Sequence, residues 1–298
     1  MKPLTQGRFA PTPSGPLHFG SLMTALASWL FARSAGGEWL VRIEDLDTPR
    51  VIDGCAEEHL RLLALCGLQS DGEVVRQSAR IELYDGHFRR LLEAGRLYPC
   101  RCSRKEIATS ASAPHGGGEP RYPGTCRDAA VDPSEARAWR FRLEEGEIAW
   151  RDEVFGELAQ DVSREVGDFV VRREGPLPTY AYQFAVVVDD AVQGITEVVR
   201  GADLLDSTPR QIALARALGF DLPRYAHVPV LVSSFGEKLS KRAGSRRLAE
   251  AFGRGQLPDI VAALLATLGQ EPTLARARAT FDPSRIPRRR EIGLAPSP

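Results

Sequence analysis

The sequence lacks a long hydrophobic run. No stretch of the 298 residues reaches the roughly 18 consecutive apolar residues that a membrane-spanning helix needs. The first residues, Met1 to Gln6, also lack the apolar core of a secretory signal. We therefore expect a cytoplasmic protein with no membrane partner.

The sequence also has no net charge and few cysteines. Lys+Arg and Asp+Glu total 39 each, so overall charge predicts no polyanionic partner. The five cysteines are an odd number, and without a secretory signal a disulfide framework is not expected. Cys55 and Cys66 stand alone among apolar neighbours and are interpreted as small buried side chains. A content of 43% hydrophobic and 26% charged residues is typical of a globular protein with one large or two modest domains.

The first part of the chain follows the pattern of a parallel βαβ unit. A short apolar stretch at 7–10 predicts a strand, and a loop rich in Pro, Ser and Gly follows at 11–16. Helical spacing of apolar residues predicts a helix from about 17 to 34, and 39–43 reads as a second strand. Because such units almost always form parallel sheets, the acidic residues at 44–47 are expected at the end of a parallel strand.

The later segments predict further helices and strands. In chain order these are helices near 53–66 and 78–95, antiparallel strands within 139–173, a buried strand at 183–188, a helix at 207–218, a strand at 227–232 and a helix ending near 268. The tail from Glu271 is rich in Arg, Pro and Ala, and we expect it to be loosely ordered.

Two segments have the composition of phosphate-binding elements. In the first, Gly15 precedes the helix and His18 stands at its start, where free backbone N–H groups and the helix dipole attract anions. In the second, Lys238 and Lys241 flank a serine in a glycine-containing loop, which suits a loop that closes on phosphates. Each segment alone has a simpler interpretation, as a helix-capping turn or a solvated basic loop. The candidate nucleotide-binding residues are Pro13, Gly15, His18, Gly20, Ser21, Lys238, Ser240 and Lys241.

Together the two segments resemble the paired signature motifs of class I aminoacyl-tRNA synthetases. His18-Phe19-Gly20-Ser21 is similar to His-Ile-Gly-His, and Lys238-Leu239-Ser240-Lys241-Arg242 is similar to Lys-Met-Ser-Lys-Ser. Ser21 and Arg242 depart from the general motifs, although a small hydroxyl residue at the first site is familiar in the glutamyl and glutaminyl branch. The resemblance implies an α/β fold with a Rossmann-like doubly wound parallel sheet. It also implies ATP with Mg²⁺ as a bound cofactor, and catalytic roles for His18, Lys238 and Lys241.

Four further blocks resemble glutamyl-tRNA synthetases, namely 8–15, 42–50, 182–190 and 194–201. The resemblance implies that arginines bind the carboxylates of L-glutamate, for which their paired donors are suited, and that Glu44 holds its ammonium group. Isolated surface ion pairs are the simpler interpretation of each residue taken alone. The candidate substrate-binding residues are Arg8, Phe9, Ala10, Pro11, Thr12, Ser14, Glu44, Tyr182 and Arg200. Val186 stands where that family commonly carries Asn, so we expect one polar contact to be lost.

Cys100, Cys102 and Cys126 form a candidate metal site. Two thiolates one residue apart and a third downstream can supply three ligands of a tetrahedron, whereas reduced structural thiols are the alternative. His115 lies in the intervening loop. The resemblance favours Tyr122 as the fourth ligand, because glutamyl-tRNA synthetases and their short paralogues carry a zinc knot of the pattern Cys-x-Cys followed by Tyr-x-x-x-Cys. We therefore expect one structural Zn²⁺, with no ligand position left open for substrate.

The resemblance extends from Met1 to about Leu268 and includes no anticodon-binding region. This shortened form is similar to the glutamyl-Q tRNA(Asp) synthetases, bacterial paralogues of the glutamyl-tRNA synthetase catalytic domain. That likeness implies ATP-dependent, tRNA-independent activation of glutamate and its transfer to queuosine in the anticodon stem-loop of tRNA(Asp). Two alternatives stay open. One is a glutamate adenylyltransferase that charges a 3′ tRNA end or a small molecule, and the other is a catalytically idle tRNA-binding paralogue.

The same resemblance predicts how the chain is divided. The first half of the catalytic domain is expected at 1–96 and its second half, with the lysine loop, at 181–250. An insertion with the zinc knot is expected at 97–180, and a short helical region with a basic tail at 251–298. We expect a monomer.

Overall fold

The computed structural model describes residues 5–103, 105–107, 121–175, 179–232 and 255–293. The strands are β1 (Gln6–Phe9), β2 (Glu38–Ile43), β3 (Val75–Arg76), β4 (Leu97–Cys100), β5 (Ala138–Phe141), β6 (Glu147–Asp152), β7 (Gly156–Asp161), β8 (Phe169–Arg173), β9 (Thr179–Tyr180), β10 (Glu197–Gly201), β11 (Arg224–Val228), β12 (Val230–Val232) and β13 (Glu291–Gly293). The α-helices are α1 (Phe19–Ser34), α2 (Cys55–Leu65), α3 (Ile81–Glu93), α4 (Val162–Glu165), α5 (Tyr182–Val192), α6 (Thr208–Leu218), α7 (Leu257–Thr267) and α8 (Leu274–Ala279). Within the described ranges, no helix has both the length and the hydropathy that crossing a membrane would require.

A central sheet in the strand order β3-β2-β1-β10-β11-β6-β7 confirms the predicted fold class. Every neighbouring pair in it is parallel except the β6–β7 hairpin. Trp39 and Val199 pack with α1 on one face, whereas Val198 and Tyr225 pack with Ile212 of α6 on the other. Because apolar side chains emerge from both faces of these strands, helices cover the sheet on both sides, as in a doubly wound fold.

The predicted βαβ unit is confirmed by β1, α1 and β2, with β1 and β2 in parallel register. Phe9 stacks on Trp39, with ring centroids 6.4 Å apart, and the Trp39 indole N–H donates to Ser28 Oγ at 2.9 Å. Since successive strand residues point to opposite faces, the burial of Phe9 beneath α1 directs Arg8 to the other face. Core packing of β1 therefore sets the direction of a candidate site residue.

The predicted antiparallel strands within 139–173 are confirmed, but they divide between two sheets. β4, β5, β8 and β9 form a separate antiparallel sheet. The β6–β7 hairpin instead extends the central sheet, with β6 parallel to β11 and Asp152 in register with Tyr225. Part of the segment expected to form an insertion thus belongs to the central sheet.

The predicted strand at 183–188 is wrong, because this segment belongs to α5. A continuous apolar run does not distinguish a buried strand from a helix that is buried on most of its surface. Residues from Phe184 to Asp190 are all buried, and Val186 is 1% exposed within an apolar cluster that includes Tyr84. Val186, where we expected a polar contact to be lost, is therefore a core residue.

The C-terminal part differs from expectation in two ways. The predicted strand at 227–232 is two strands, since β11 ends at Val228 and β12 pairs with β13 in a separate parallel sheet. The prediction of a loosely ordered tail is wrong for residues 271–293, which form α8 and β13. Ala277 is fully buried and Ile286 is 3% exposed, so a few apolar residues anchor a segment of otherwise polar composition.

Gly269 provides a test of this anchoring. Its φ of +71° is strained for an L residue, and a Cβ there would lie 2.5 Å from the Arg285 carbonyl oxygen. We expect Gly269→Ala to lower the free energy of unfolding by about 3 kcal/mol, through left-handed strain and a backbone clash together. Gly219→Ala is the matched control, because its φ is +70° but its surroundings are open. It should lose only about 1 kcal/mol. Equal losses in urea unfolding of the two variants would contradict packing of 283–286 against this turn.

Candidate active site

Polar side chains collect at one edge of the central sheet, where five neighbouring parallel strands end. Arg8 lies near the end of β1, Glu44 directly follows β2, and Arg200 is the penultimate residue of β10. His227 is the penultimate residue of β11, and Asp152 is the last residue of β6. All five are buried. The carboxyl ends of parallel strands form the usual binding crevice of open α/β sheets.

Arg8 is held by a carboxylate from α5. Its Nε and Nη2 donate to the two oxygens of Asp190 at 3.1 and 3.2 Å, and its Nη1 donates to the Val199 carbonyl at 3.3 Å. Arg42 Nη1 lies 2.8 Å from the same Asp190 carboxylate. Burial alone would raise the pKa of Asp190, but the guanidiniums of Arg8 and Arg42 lower it. The carboxylate is therefore ionised and fixes both arginines.

Glu44 is a buried carboxylate with an incomplete set of charge partners. It is 7% exposed and accepts one hydrogen bond from Arg42 Nη2 at 3.2 Å. Burial raises the pKa of Glu44, and the nearby Asp190 adds to the rise, although Arg42 and Arg8 oppose it. A cationic group brought to Glu44 would stabilise its ionised form, so this position suits an ammonium ligand.

Arg200 is buried among neutral partners. Its Nε donates to His227 Nε2 at 3.0 Å, its Nη1 to Gln211 Oε1 at 2.7 Å, and its Nη2 to Thr208 Oγ1 at 2.9 Å. The Tyr182 hydroxyl lies 3.4 Å from Nη1. Tyr182 is 37% exposed and is the first residue of α5, the helix that replaces the strand predicted at 183–188. Because none of these direct partners is a carboxylate, the positive charge of the guanidinium is available to an anionic ligand.

The loop at 11–17 is attached to three other elements by its main chain. The Glu44 N–H donates to the Pro11 carbonyl at 3.0 Å, and the Ile52 N–H donates to Pro13 at 2.9 Å. The buried His59 ring donates from Nε2 to the Gly15 carbonyl at 2.8 Å.

The remaining predicted substrate residues of this region are divided between the loop and the core. Ala10, Thr12 and Ser14 are partly exposed, whereas Pro11 is buried. The Phe9 side chain lies in the core under α1, away from the charged cluster, so only its main chain could face a ligand.

His18 caps the N-terminus of α1. Its Nδ1 accepts the Ser21 N–H at 3.2 Å, and its Nε2 lies 3.0 Å from Ser21 Oγ. A Cβ at position 20 would approach the His18 ring to 3.2 Å, which explains why Gly20 follows the histidine at this spacing. The ring and the partly exposed helix start form one half of a candidate phosphate site. Lys238, Ser240 and Lys241 lie outside the described residues.

Three sulfur atoms come together beside the β4–β5 sheet. The Sγ atoms of Cys100, Cys102 and Cys126 lie within 4.8 Å of one another. The Tyr122 hydroxyl is 3.4 Å from Cys100 Sγ and 3.8 Å from Cys102 Sγ. This cluster could hold a metal ion. His115, the other residue considered from the sequence, lies outside the described residues.

Several residues of the site were assigned no role from the sequence. Arg42 and Asp190 stand in segments that resembled glutamyl-tRNA synthetases, and Asp190 ends the apolar run that was taken for a strand. A buried acidic pair next to an apolar run is a signal that could have identified Asp190. His227 and Asp152 carry no comparable signal, because they are 75 residues apart in the chain.

The chain matches a family model described as tRNA synthetases class I (E and Q), catalytic domain, over residues 5–283. Three curated relatives are named glutamyl-Q tRNA(Asp) synthetase. The protein from Geobacter sulfurreducens is 48% identical and covers 96% of this chain and 95% of its own length. The protein from Chromobacterium violaceum is 52% identical, and the match covers 90% of this chain and 88% of that protein. The protein from Dechloromonas aromatica is 54% identical, and the match covers 82% of this chain and 80% of that protein.

A solved structure has the same fold. The glutamate-tRNA synthetase from Elizabethkingia anophelis superposes with a TM-score of 0.81 at 24% identity, covering 98% of this chain and 68% of that chain. A glutamate tRNA ligase from Elizabethkingia meningosepticum, solved in complex with its amino acid, gives a TM-score of 0.80.

Proposed function

The chain belongs to the class I tRNA synthetases of the E and Q type, and from this premise we propose that it activates glutamate with ATP and transfers it to the queuosine of tRNA(Asp). The observation that carries the glutamate assignment is the alternation of charge at the sheet edge. Arg8 lowers the pKa of the buried Glu44 carboxylate. Arg200 and Arg8 lower the pKa of Tyr182 and Glu44 raises it, so all three charges act on that one side chain. Glutamate carries the complementary set, one ammonium group between two carboxylates.

The role of each pocket residue follows from its available hydrogen-bonding groups. Arg200 Nη1 donates to Gln211 and, at 3.4 Å, to the Tyr182 hydroxyl, whereas Nη2 donates to Thr208 alone among the described residues. Nη2 therefore keeps a second hydrogen for a carboxylate. By the same count Arg8 keeps a second hydrogen on each terminal nitrogen. Glu44 binds the ammonium group. Tyr182, at 3.4 Å from Arg200, closes the carboxylate subsite.

In the proposed first step, an oxygen of the glutamate α-carboxylate forms a bond to the α-phosphorus of ATP. The bond from that phosphorus to the bridging oxygen of pyrophosphate breaks, giving glutamyl-adenylate and pyrophosphate. The nucleophile is already ionised, so no general base is needed, and catalysis consists of positioning and stabilisation of phosphate charge. His18 and the α1 N-terminus are assigned to the phosphates, with Lys238 and Lys241 assigned to the same role from their sequence motif. Mg²⁺ accompanies ATP.

In the proposed second step, a hydroxyl of the queuosine cyclopentenediol attacks the carbonyl carbon of the adenylate. An ester forms, and AMP and a proton are released. The support for this acceptor is the identity of 48% to 54% to relatives that carry the name glutamyl-Q tRNA(Asp) synthetase. Charging of a 3′ tRNA end by the same adenylate is the competing assignment.

We also propose that the sulfur cluster holds one structural Zn²⁺, with the Tyr122 hydroxyl as fourth ligand. Zn–S bonds of about 2.3 Å in a tetrahedron separate the sulfurs by about 3.8 Å, and Cys102 Sγ and Cys126 Sγ are 3.5 Å apart. Zn²⁺ with three thiolates carries one net negative charge. The Arg140 Nε lies 3.3 Å from Cys100 Sγ and supplies the opposite charge.

We predict glutamate-dependent ATP–pyrophosphate exchange in the absence of tRNA, because the pocket side chains are held by contacts within this chain. Glu44→Gln should lower the exchange rate by about 10²-fold or more. The variant should be at least as stable as the unmodified protein at pH 7 to 8, because the raised pKa means that folding disfavours the ionised carboxylate. This difference in stability should disappear at a pH low enough to protonate Glu44. Glu147→Gln, at an exposed position of β6, is the control with unchanged exchange and stability. Exchange that requires added tRNA would contradict the prediction.

We predict that labelled glutamate is transferred to tRNA(Asp) only when the tRNA carries queuosine. Charging should persist on a queuosine-containing tRNA(Asp) from which the 3′-terminal nucleotide has been removed. Total tRNA from cells unable to make queuosine is the matched control and should remain unlabelled. Loss of charging on the truncated tRNA would assign the acceptor to the 3′ end.

We predict one Zn²⁺ per chain by metal analysis of the purified protein. Cys102→Ser should release the metal and destabilise the β4–β5 sheet region, since a ligand contributes to folding through the bound ion. Pyrophosphate exchange should be reduced less, because the cluster lies outside the glutamate pocket. Cys66→Ser is the control, as Cys66 is a buried cysteine outside the cluster and should leave the zinc content unchanged. A zinc content well below one in a fully active protein would refute the assignment.

A further inference from the structure

A histidine and an aspartate support Arg200 at its Nε atom, whereas Tyr182 contacts Nη1. His227 Nδ1 is 2.6 Å from Asp152 Oδ2, and both side chains are completely buried. On the other side of the ring, Nε2 is 3.0 Å from Arg200 Nε. The three residues come from three adjacent strands, β6, β11 and β10.

The hydrogen-bond partners define which ring nitrogen carries the proton. The Nε–H of an arginine only donates, so His227 Nε2 must accept and must be unprotonated. The proton therefore resides on Nδ1 and is donated to Asp152 Oδ2. Burial lowers the pKa of His227, and Arg200 also lowers it while Asp152 opposes them, which is consistent with a neutral ring.

The orientation of Asp152 is fixed by the turn of the β6–β7 hairpin. Its Oδ1 accepts the backbone N–H groups of Val154 at 3.0 Å and Phe155 at 2.9 Å. The backbone N–H of His227 also points to Oδ1, at 3.3 Å. Because Oδ1 is occupied in this way, Oδ2 is the oxygen available to the imidazole. The hairpin thus holds the accepting Oδ2 atom against Nδ1, the ring nitrogen that carries the proton.

The ring tautomer determines in turn how Arg200 is held. With Nε donating to His227, Nη1 donates to Gln211 and to the Tyr182 hydroxyl. Nη2 donates to Thr208 and keeps a second hydrogen for a carboxylate. If Nε2 were protonated, two N–H donors would face each other and the hydrogen bond from Arg200 Nε to His227 would be lost. The guanidinium would then have to rotate, and the remaining hydrogen of Nη2 would lose its alignment.

We propose that Asp152 and His227 are positioning residues of the amino-acid site, which act by holding the Arg200 guanidinium in the orientation that binds a substrate carboxylate. This inference rests on the proposed function, in which Arg200 binds glutamate. It makes the β6–β7 hairpin of the insertion a part of the amino-acid site, although neither residue touches the substrate.

Asp152→Asn tests the tautomer. The carboxamide oxygen replaces Oδ1 in its bonds to the hairpin backbone, so the NH₂ group faces His227 Nδ1 and moves the ring proton to Nε2. We expect the KM for glutamate in pyrophosphate exchange to rise by about 10-fold or more, equivalent to at least about 1.4 kcal/mol of binding. The KM for ATP should change by less than about 2-fold.

Two substitutions at His227 separate positioning from stability. In His227→Gln, the side-chain amide spans roughly the distance between the two ring nitrogens, so it can donate to Asp152 and accept from Arg200. The KM of this variant for glutamate should stay near that of the unmodified protein. His227→Asn keeps only the bond to Asp152 and should show the raised KM. This pair decides the question even where Asp152→Asn does not fold, and melting temperatures of all variants are measured alongside.

The outcomes are distinct. A rise in the glutamate KM for His227→Asn but not for His227→Gln supports the proposal. If both variants have lower melting temperatures but an unchanged KM for glutamate, Asp152 and His227 only stabilise the fold, and the proposal is overturned. If the unmodified protein gives no glutamate-dependent exchange, the proposed function itself is refuted. This result is distinct from both outcomes for the His227 variants.

Discussion

The candidate site depends on one buried ionic contact, the Asp190 carboxylate between the guanidiniums of Arg8 and Arg42. This contact joins α5 to the ends of β1 and β2, and removal of one partner from such a pair typically costs about 3–5 kcal/mol. A hydrophobic replacement of the whole group would often be at least as stable, so stability alone does not account for it. What the group provides is position. It fixes Arg8 and Arg42 against a single carboxylate and leaves Glu44 with one hydrogen-bonding partner among the described residues.

Charge is distributed unevenly between the two sides of the site. On the Arg8 side, the guanidiniums of Arg8, Arg42 and Arg80 are matched by the carboxylates of Asp189, Asp190 and Glu44. On the other side, the direct hydrogen-bond partners of Arg200 among the described residues are neutral. The Asp152 carboxylate on this side is bonded to His227 and not to Arg200. Among the described residues no carboxylate is bonded directly to Arg200, so that guanidinium can pair with an anionic ligand.

The sequence was sufficient to predict the parts of the fold that depend on local pattern. The βαβ unit, the helix at 207–218 and the position of Glu44 after β2 follow from the spacing of apolar residues and from the turn residues between elements. The inclusion of Arg8 and Arg200 in the site was implied by the resemblance alone. The error at 183–188 has a physical cause, because a segment buried on nearly all sides loses the polar spacing that distinguishes 3.6-residue from two-residue periodicity. The ordered C-terminal segment was missed because two buried side chains, Ala277 and Ile286, outweigh a polar composition once the rest of the core is present.

The contacts that could not be predicted are those that join distant segments through a specific atom. Asp152 follows a polar-apolar alternation typical of any half-exposed hairpin strand, and His227 lies in an ordinary apolar strand. The parallel pairing of β6 with β11 brings them together. The backbone N–H groups of Val154, Phe155 and His227 occupy Oδ1 and leave Oδ2 facing the ring. Such a contact lets the turn that follows β6 hold the imidazole ring, and through the ring the Nε side of Arg200. A strand that pairs with β11 at this edge of the sheet is consequently constrained by the polar contacts of its last residue as well as by its own packing.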